Sequence, residues 1–272
     1  MKHDVKRIVL GIQYDGSSWQ GWQRQPHGIT LQDKLEAALT KFTQKPVEVV
    51  CAGRTDSGVH AIEQIVHFDT DVKRELFSWV RGVNALMPSS IAVRWATEVP
   101  TDEEEFHARF SATARTYHYL IYNDAVRSPL WKGRAGWVFR PLQIDLMREA
   151  AQALIGTQDF SAFRASECQA QSPVRTMHSL EISQQNDLIL LSFRANAFLH
   201  HMVRNIVGSL VQVGSANQPP AWIEKILISR DRSLAAPTFA PDGLYLAKID
   251  YDSRWDLPHI SHAFPMFWNH DK

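Results

Sequence analysis

At 272 residues the chain has room for one large domain or two of ordinary size. Hydrophobic residues make up 44% and charged residues 21%, a balance that supports a buried core and excludes a disordered or fibrous chain. Lys plus Arg and Asp plus Glu both number 29, so a nucleic-acid partner would require positive charge gathered locally. Cys51 and Cys168 are the only cysteines. They exclude a disulfide framework, form no Cys-x-x-Cys pair for a zinc ribbon, and fit a reducing compartment. Met1 to Asp15 is too charged for a signal peptide, and no apolar run approaches the roughly 18 residues of a spanning helix. The expectation is a cytoplasmic protein without a membrane partner.

In chain order, Arg7 to Tyr14 is short and apolar, and reads as a strand. Leu31, Leu35, Ala38, Leu39 and Phe42 mark one face of a helix, with Thr30 as its N-cap. Val47 to Cys51, after Pro46, reads as a second strand, and the alternation around Val66 and Phe68 as a third. Leu76, Trp79, Val80 and Val83 form a second helical stripe, followed by a fourth strand through Ile91, Val93 and Trp95. The order is β-α-β-β-α-β.

The second half repeats it. Ala114 to Tyr122 alternates as a strand, and Ile144, Met147, Ala151, Leu154 and Ile155 form a helical face. His178, Leu180 and Ile182 alternate in a strand, and Leu188 to Phe193 reads as a buried one. Met202, Ile206, Leu210 and Val213 are spaced as a helix, a further helix lies near Trp222 to Leu227, and Leu244 to Ile249 is the last strand. This pattern predicts an α+β fold of two ferredoxin-like halves, with antiparallel sheets flanking a central cleft. The boundary is expected at Pro100 to Glu105, dividing the chain into 1–105 and 106–272.

The neutral total hides basic stretches. Between Phe106 and Arg140 lie Arg109, Arg115, Arg127, Lys132, Arg134 and Arg140, with Asp124 the sole acid. Between Leu188 and Ile223 there are Arg194 and Arg204 and no acid. Tyr117, Tyr119, Tyr122, Trp131 and Trp137 are interleaved. Cations answer phosphates and flat rings answer splayed bases; the plainer reading is a solvated face over core aromatics.

The segment Cys51-Ala-Gly-Arg-Thr-Asp-Ser-Gly-Val-His60 places Asp56 on a glycine-flanked turn beside Arg54. Glycines permit a tight turn and close approach of a ligand, and a nearby cation favours an ionised carboxylate. The plainer reading is a β-turn whose Asp bonds its own backbone.

This loop, taken with Gly21-Trp-Gln-Arg-Gln25, Phe106-His-Ala-Arg-Phe-Ser-Ala-Thr-Ala-Arg115, Asp159-Phe, Ala195-Asn-Ala-Phe198 and His200-His-Met-Val-Arg-Asn-Ile-Val-Gly208, resembles the tRNA pseudouridine synthase A family from about Arg7 to Tyr251. The resemblance implies an isomerase that breaks the uracil N1–C1′ bond, turns the base and joins C5 to C1′. No atom is added or lost, so no metal or organic cofactor is implied. The implied partners are tRNA, at uridines thirty-eight to forty of the anticodon stem-loop, and a second copy of the chain in a homodimer.

By resemblance Asp56 is the catalytic carboxylate. Tyr117 and Arg204 bind the substrate, Tyr117 as a ring for the flipped uracil and Arg204 as the partner of the carboxylate. Arg54, the segment Phe106, His107, Ala108, Arg109 and Phe110, and the segment Glu167, Cys168, Gln169, Ala170 and Gln171 are implied tRNA contacts. Ala170-Gln171 stands where the family pattern has Ser-Arg, and Ser57 replaces an alanine.

The histidines His60, His67, His107, His118, His200 and His201 show no metal-ligand spacing. On a helix, adjacent His200 and His201 are expected to point to different sides. The aromatic end, with Phe264, Phe267 and Trp268, has no assigned role. Two other functions compete: a non-catalytic tandem RNA-binding module, and a glycoside or nucleoside hydrolase using Asp56 with a second carboxylate such as Asp15.

Overall fold

The computed structural model describes residues 5–100 and 105–260. Residues 101–104 of the expected boundary, and Phe264, Phe267 and Trp268, lie outside the described residues. The chain forms two compact units: Met1–Thr55, His60–Thr113 and Leu246–Lys272 in the first, and Asp56–Val59 with Ala114–Tyr245 in the second. The four residues that carry Asp56 therefore belong to the second unit, although their neighbours on either side belong to the first.

The first unit contains β1 (Lys6–Tyr14), α1 (Leu31–Thr43), β2 (Val50–Cys51), β3 (His60–Thr70), α2 (Leu76–Asn84) and β4 (Ile91–Val99). β1 lies antiparallel between β4 and β3, with Leu10 opposite Ala96 on one side and Val66 on the other. The short β2 pairs antiparallel with β3, giving the order β4-β1-β3-β2. The expected strand from Val47 shrinks to Val50–Cys51, because Val49 N donates to Glu36 Oε1 of α1 at 2.9 Å instead of to a ladder.

β1 and β3 are buried along nearly their whole length, so the apolar residues of β1 form a run and the polar residues of β3 are buried with the rest. On one side Trp79 of α2 meets Phe42 of α1 at 5.2 Å and Phe68 of β3 at 5.4 Å, both edge-on. The other side carries polar groups that need partners. Arg7 Nε donates to Asp69 at 2.7 Å and its NH1 to the Phe106 carbonyl at 2.7 Å, while Ala108 N donates to His67 Nδ1 at 3.1 Å. Phe106 then fills the space beside Tyr251 and Trp255, with ring centroids 5.1 and 5.3 Å away.

The second unit contains β5 (Ala112–Asn123, entering from the first unit), β6 (Gly136–Val138), α3 (Ile144–Ala151), β7 (Gly156–Asp159), β8 (Val174–Gln185), β9 (Leu188–Ala195), α4 (Met202–Gly214), α5 (Ala221–Ser229) and the start of β10 (Leu244–Tyr251). β9 runs antiparallel between β5 and β8, with Leu191 opposite Tyr119 and Ile182. β7 pairs beyond β8, and β6 pairs with β5 in parallel. Neither β6 nor β7 was expected: three and four residues are too few to show a period. The helical face expected to run through Ile155 ends at Ala151. Gln152–Leu154 tightens into a 3-10 turn, and Gly156 at φ +90° starts β7.

Two residues of α2 separate the contributions of packing and of sequence. Trp79→Ala empties a fully buried site and is expected to cost about 3–5 kcal/mol in urea unfolding. Phe77→Ala, on the exposed side of the same helix, is expected to change stability by less than about 0.5 kcal/mol.

Candidate active site

The loop is shaped before its side chains act. Thr55, on the near side of Asp56, accepts from Trp22 N at 3.0 Å through its carbonyl, and its hydroxyl pairs with Tyr14 Oη at 2.8 Å. Val59 N closes a turn on the Asp56 carbonyl at 3.2 Å. Gly58 holds φ +79°, and a Cβ there would stand 3.0 Å from Pro241 Cγ. Glycine meets both demands.

Arg204 reaches Asp56 from the first turn of α4. Its NH1 donates to Asp56 Oδ2 at 3.0 Å, and its Nε donates to the Phe239 carbonyl at 2.8 Å. The segment that supplies Phe239 lies close to the helix, since a Cβ on Gly208 would meet the Pro237 carbonyl at 2.5 Å. Buried Asn205 braces the same turn: its Nδ2 donates to the Phe163 carbonyl at 2.8 Å, and its Oδ1 accepts from Thr238 Oγ1 at 2.7 Å and Arg232 NH2 at 3.0 Å.

His200 and His201 also face the carboxylate, which corrects the expectation that they diverge. His200 Nε2 lies 3.3 Å from Oδ1 and His201 Nε2 lies 3.4 Å from Oδ2. The helix begins only at Met202, and His201 precedes it in the left-handed region at φ 60°, ψ 1°. That conformation costs a non-glycine residue about 1–2 kcal/mol and brings the two rings together, 3.9 Å between centroids.

Burial pushes the Asp56 carboxyl upward, but the His200 hydrogen bond, the charge of His201 and the Arg204 bond outweigh it and hold the group below the usual carboxylate range. The hydrogen bond to Asp56 raises His200, whereas burial lowers His201. Two imidazolium rings in contact repel, so of the pair His200 takes the proton more readily than His201.

Asp56, His200 and His201 place their donor atoms within 4.8 Å of one another, a spacing a metal ion can use. The Arg204 guanidinium at Oδ2 already neutralises the single carboxylate and would repel a cation, so the set fits an ionised aspartate better than a resident metal.

The remaining expected residues divide by position. Tyr117 of β5 is nearly buried and packs edge-on to Phe198 at 5.0 Å, in the stretch that leads to His200. Glu167 and Cys168 lie beside His200: Ala165 N donates to the His200 carbonyl at 3.0 Å, and Cys168 N to the Ala165 carbonyl at 3.2 Å. The His200 charge contributes to lowering both groups, after the Glu167 backbone bond in one case and against burial in the other. Gln169 and Gln171 are exposed, and Ala170 is half-buried.

In the first unit Arg54 is exposed. Phe106 and Ala108 are core residues, so only part of their segment faces solvent. Phe110 is 75% exposed, stacks on His107 at 4.3 Å and has the Arg109 guanidinium 5.7 Å from its ring centroid. Asp15 accepts from Ser17 Oγ at 2.6 Å and faces His60 at 3.2 Å.

The sequence profile described as tRNA pseudouridine synthase matches residues 11–118 and 150–252. A tRNA pseudouridine synthase A of Herminiimonas arsenicoxydans is 64% identical over 254 residues, 93% of this chain and 92% of that protein. One of Janthinobacterium sp. (strain Marseille) is 61% identical over 263 residues, 96% of this chain and 97% of its own length. One of Bordetella petrii is 58% identical over 255 residues, 93% of this chain and 94% of its own.

The titrations offer a direct check. Asp56→Asn is expected to return the His200 pKa toward its ordinary value of about 6.5, read by histidine-ring NMR; an unmoved titration would contradict the pairing. The stability that Asp56 contributes is present above its unfolded pKa of about 3.9 and is lost as pH falls through its depressed folded value. That of His200 is complete below about 6.5 and is lost as pH rises through its raised value. The thermal-midpoint difference between wild type and Asp56→Asn is therefore expected to peak between about pH 4 and 6.5 and to narrow on either side.

Proposed function

The chain belongs to the tRNA pseudouridine synthase family, and from that premise we propose how its residues carry the reaction. The activity is isomerisation of uridine in tRNA to pseudouridine. The N1–C1′ bond breaks, the uracil turns and C5 bonds to C1′; C5 gives up a proton and N1 takes one, so the atoms balance without a cofactor.

The group at the centre of this reading is Asp56. As the N1–C1′ bond breaks, positive charge grows at C1′. An ionised carboxylate kept free of its proton can stabilise that charge or bond to it, as carboxylates do beside sugars in glycosidases. The observation that carries the assignment is the carboxylate held at 3.0 Å by Arg204 and flanked by two histidines, while remaining 19% exposed. A binding module has no use for a partly buried carboxylate prepared in this way. Tyr117 is proposed to stack on the turned uracil, and Arg204 to keep Asp56 ionised and oriented.

The target is proposed to lie in the anticodon stem-loop, at positions thirty-eight to forty. A paired uridine there must leave its stack at a cost of a few kcal/mol. Arg54, Arg109 and Phe110 are proposed as solvent-facing tRNA contacts, together with Glu167, Gln169 and Gln171. Phe106 and Ala108 support their segment from the core, with His107 stacked beneath Phe110, and Cys168 and Ala170 shape their loop. We further propose two ferredoxin-like halves, 1–105 bearing the Asp56 loop and 106–272 bearing Tyr117 and Arg204. The order β4-β1-β3-β2 and its counterpart β5-β9-β8 support that reading. A homodimer acting in the cytoplasm completes the proposal; among the described residues no helix is long and apolar enough to cross a membrane.

Asp56→Asn is expected to abolish pseudouridine formation on an unmodified tRNA transcript, read by nucleoside mass spectrometry after chemical marking, while tRNA binding stays nearly intact. Activity close to wild type would overturn the assignment. Phe110→Ala is expected to weaken tRNA binding by about 1–3 kcal/mol if its ring stacks on a base, without loss of folded protein.

A further inference from the structure

The two oxygens of Asp56 are not held alike. Oδ2 accepts from Arg204 at 3.0 Å and has His201 at 3.4 Å, whereas Oδ1 has His200 at 3.3 Å. The Oδ2 side is fixed by a guanidinium that is 13% exposed and tied through Nε to the Phe239 carbonyl at 2.8 Å. His201 on that side sits at the start of α4, its carbonyl accepting from Asn205 N at 2.9 Å. The Oδ1 side rests on an imidazole that is 41% exposed. The main chain at His200 is anchored through its carbonyl, which accepts from Ala165 N at 3.0 Å, while the ring itself touches His201 and Asp56 and is otherwise open to solvent. A carboxylate that must meet a reacting carbon needs one oxygen cleared. Clearing Oδ2 would break a largely buried charge pair, whereas clearing Oδ1 moves one solvent-facing ring.

We infer that His200 is a positioning residue for Asp56: its ring caps Oδ1 in the empty enzyme and yields that oxygen to the substrate. The inference rests on the reading of Asp56 as the catalytic carboxylate. No atom is transferred; a hydrogen bond is made in the resting state and given up on binding.

The charged neighbours set how firmly the cap holds. Asp56 faces the His200 ring from the loop, Glu167 and Cys168 from the turn before β8, His201 from its own segment, and Arg204 from α4 beyond the carboxylate. Asp56 favours the protonated ring most strongly, burial opposes it, and Cys168 and Glu167 add to it. Protonated, His200 grips Oδ1 through a charge-assisted bond and competes with the substrate; neutral, it holds the oxygen less firmly.

That difference is visible in kinetics, because kcat/KM reports ionisations of the free enzyme and kcat those of the bound complex. On unmodified tRNA transcript, wild-type kcat/KM is expected to fall by up to about tenfold per pH unit below the His200 pKa, and kcat to lack that limb. His200→Gln keeps a neutral donor at Oδ1 and is expected to lose the limb from kcat/KM. His200→Ala, with folding verified by thermal unfolding, is expected to lose it too, and His201→Gln to retain it. A limb that persists in both His200 variants, or that appears equally in wild-type kcat, overturns the cap. Asp56→Asn is assayed in parallel. If it works as well as wild type, the reading of Asp56 itself fails; if it is inactive while both His200 variants keep the wild-type profile, the cap alone fails.

Discussion

A partly buried carboxylate stays ionised only where neighbouring groups replace the water it has lost, and Asp56 is the point at which this chain meets that condition. Arg204, His200 and His201 surround it within 3.4 Å, all from one turn and the start of one helix. The demand shapes the fold around it. The four residues Asp56–Val59 are assigned to a different unit from Thr55 before them and His60 after them. Gly58 supplies the backbone angle of the turn and the clearance beside Pro241.

Precision at Arg204 comes from the layer behind it. A long flexible side chain gains little from a single ion pair unless its geometry is fixed beforehand. Here the guanidinium is divided between Asp56 Oδ2 and the Phe239 carbonyl, and the Phe239 segment is itself tied to α4 through Arg232, Thr238 and Asn205. Asn205 is fully buried and satisfied by partners from two separate stretches of chain, which makes it a rigid anchor rather than a cost. The largely buried guanidinium lies at Oδ2 and the more exposed His200 ring at Oδ1, the asymmetry from which we infer that Oδ1 is the oxygen yielded to substrate.

Much of this was legible in the sequence, for reasons that differ by residue. Hydrophobic period located α1, α2, α4 and the long strands, because each buries a stripe or a face. Glycines around Asp56 marked the loop, and the resemblance paired it with Arg204, 148 positions away. His200 and His201 were missed as partners of Asp56 because a helical projection assumes right-handed backbone, and His201 departs from it at φ 60°. The signal available was their position ahead of the apolar run that starts at Met202. Phe106 and Ala108 illustrate the opposite limit. Their motif is specific, yet only packing shows that both are buried, Phe106 against Tyr251 and Trp255, while Phe110 is exposed. The strands β6 and β7 leave no periodic trace, being defined by the partners they find.

In the proposed mechanism a carboxylate held ionised by a fixed guanidinium does the chemistry. Single-turnover conversion of uridine to pseudouridine by Arg204→Gln is the test, since that change leaves Asp56 in place and removes the guanidinium that pairs with it, along with its bond to the Phe239 carbonyl. The expected result is a rate lower by about a hundredfold or more, the scale seen when one preorganised electrostatic group is lost from an active site, in folded protein that still binds tRNA. A rate within about twofold of wild type would mean that the pair is structural, and would contradict the account.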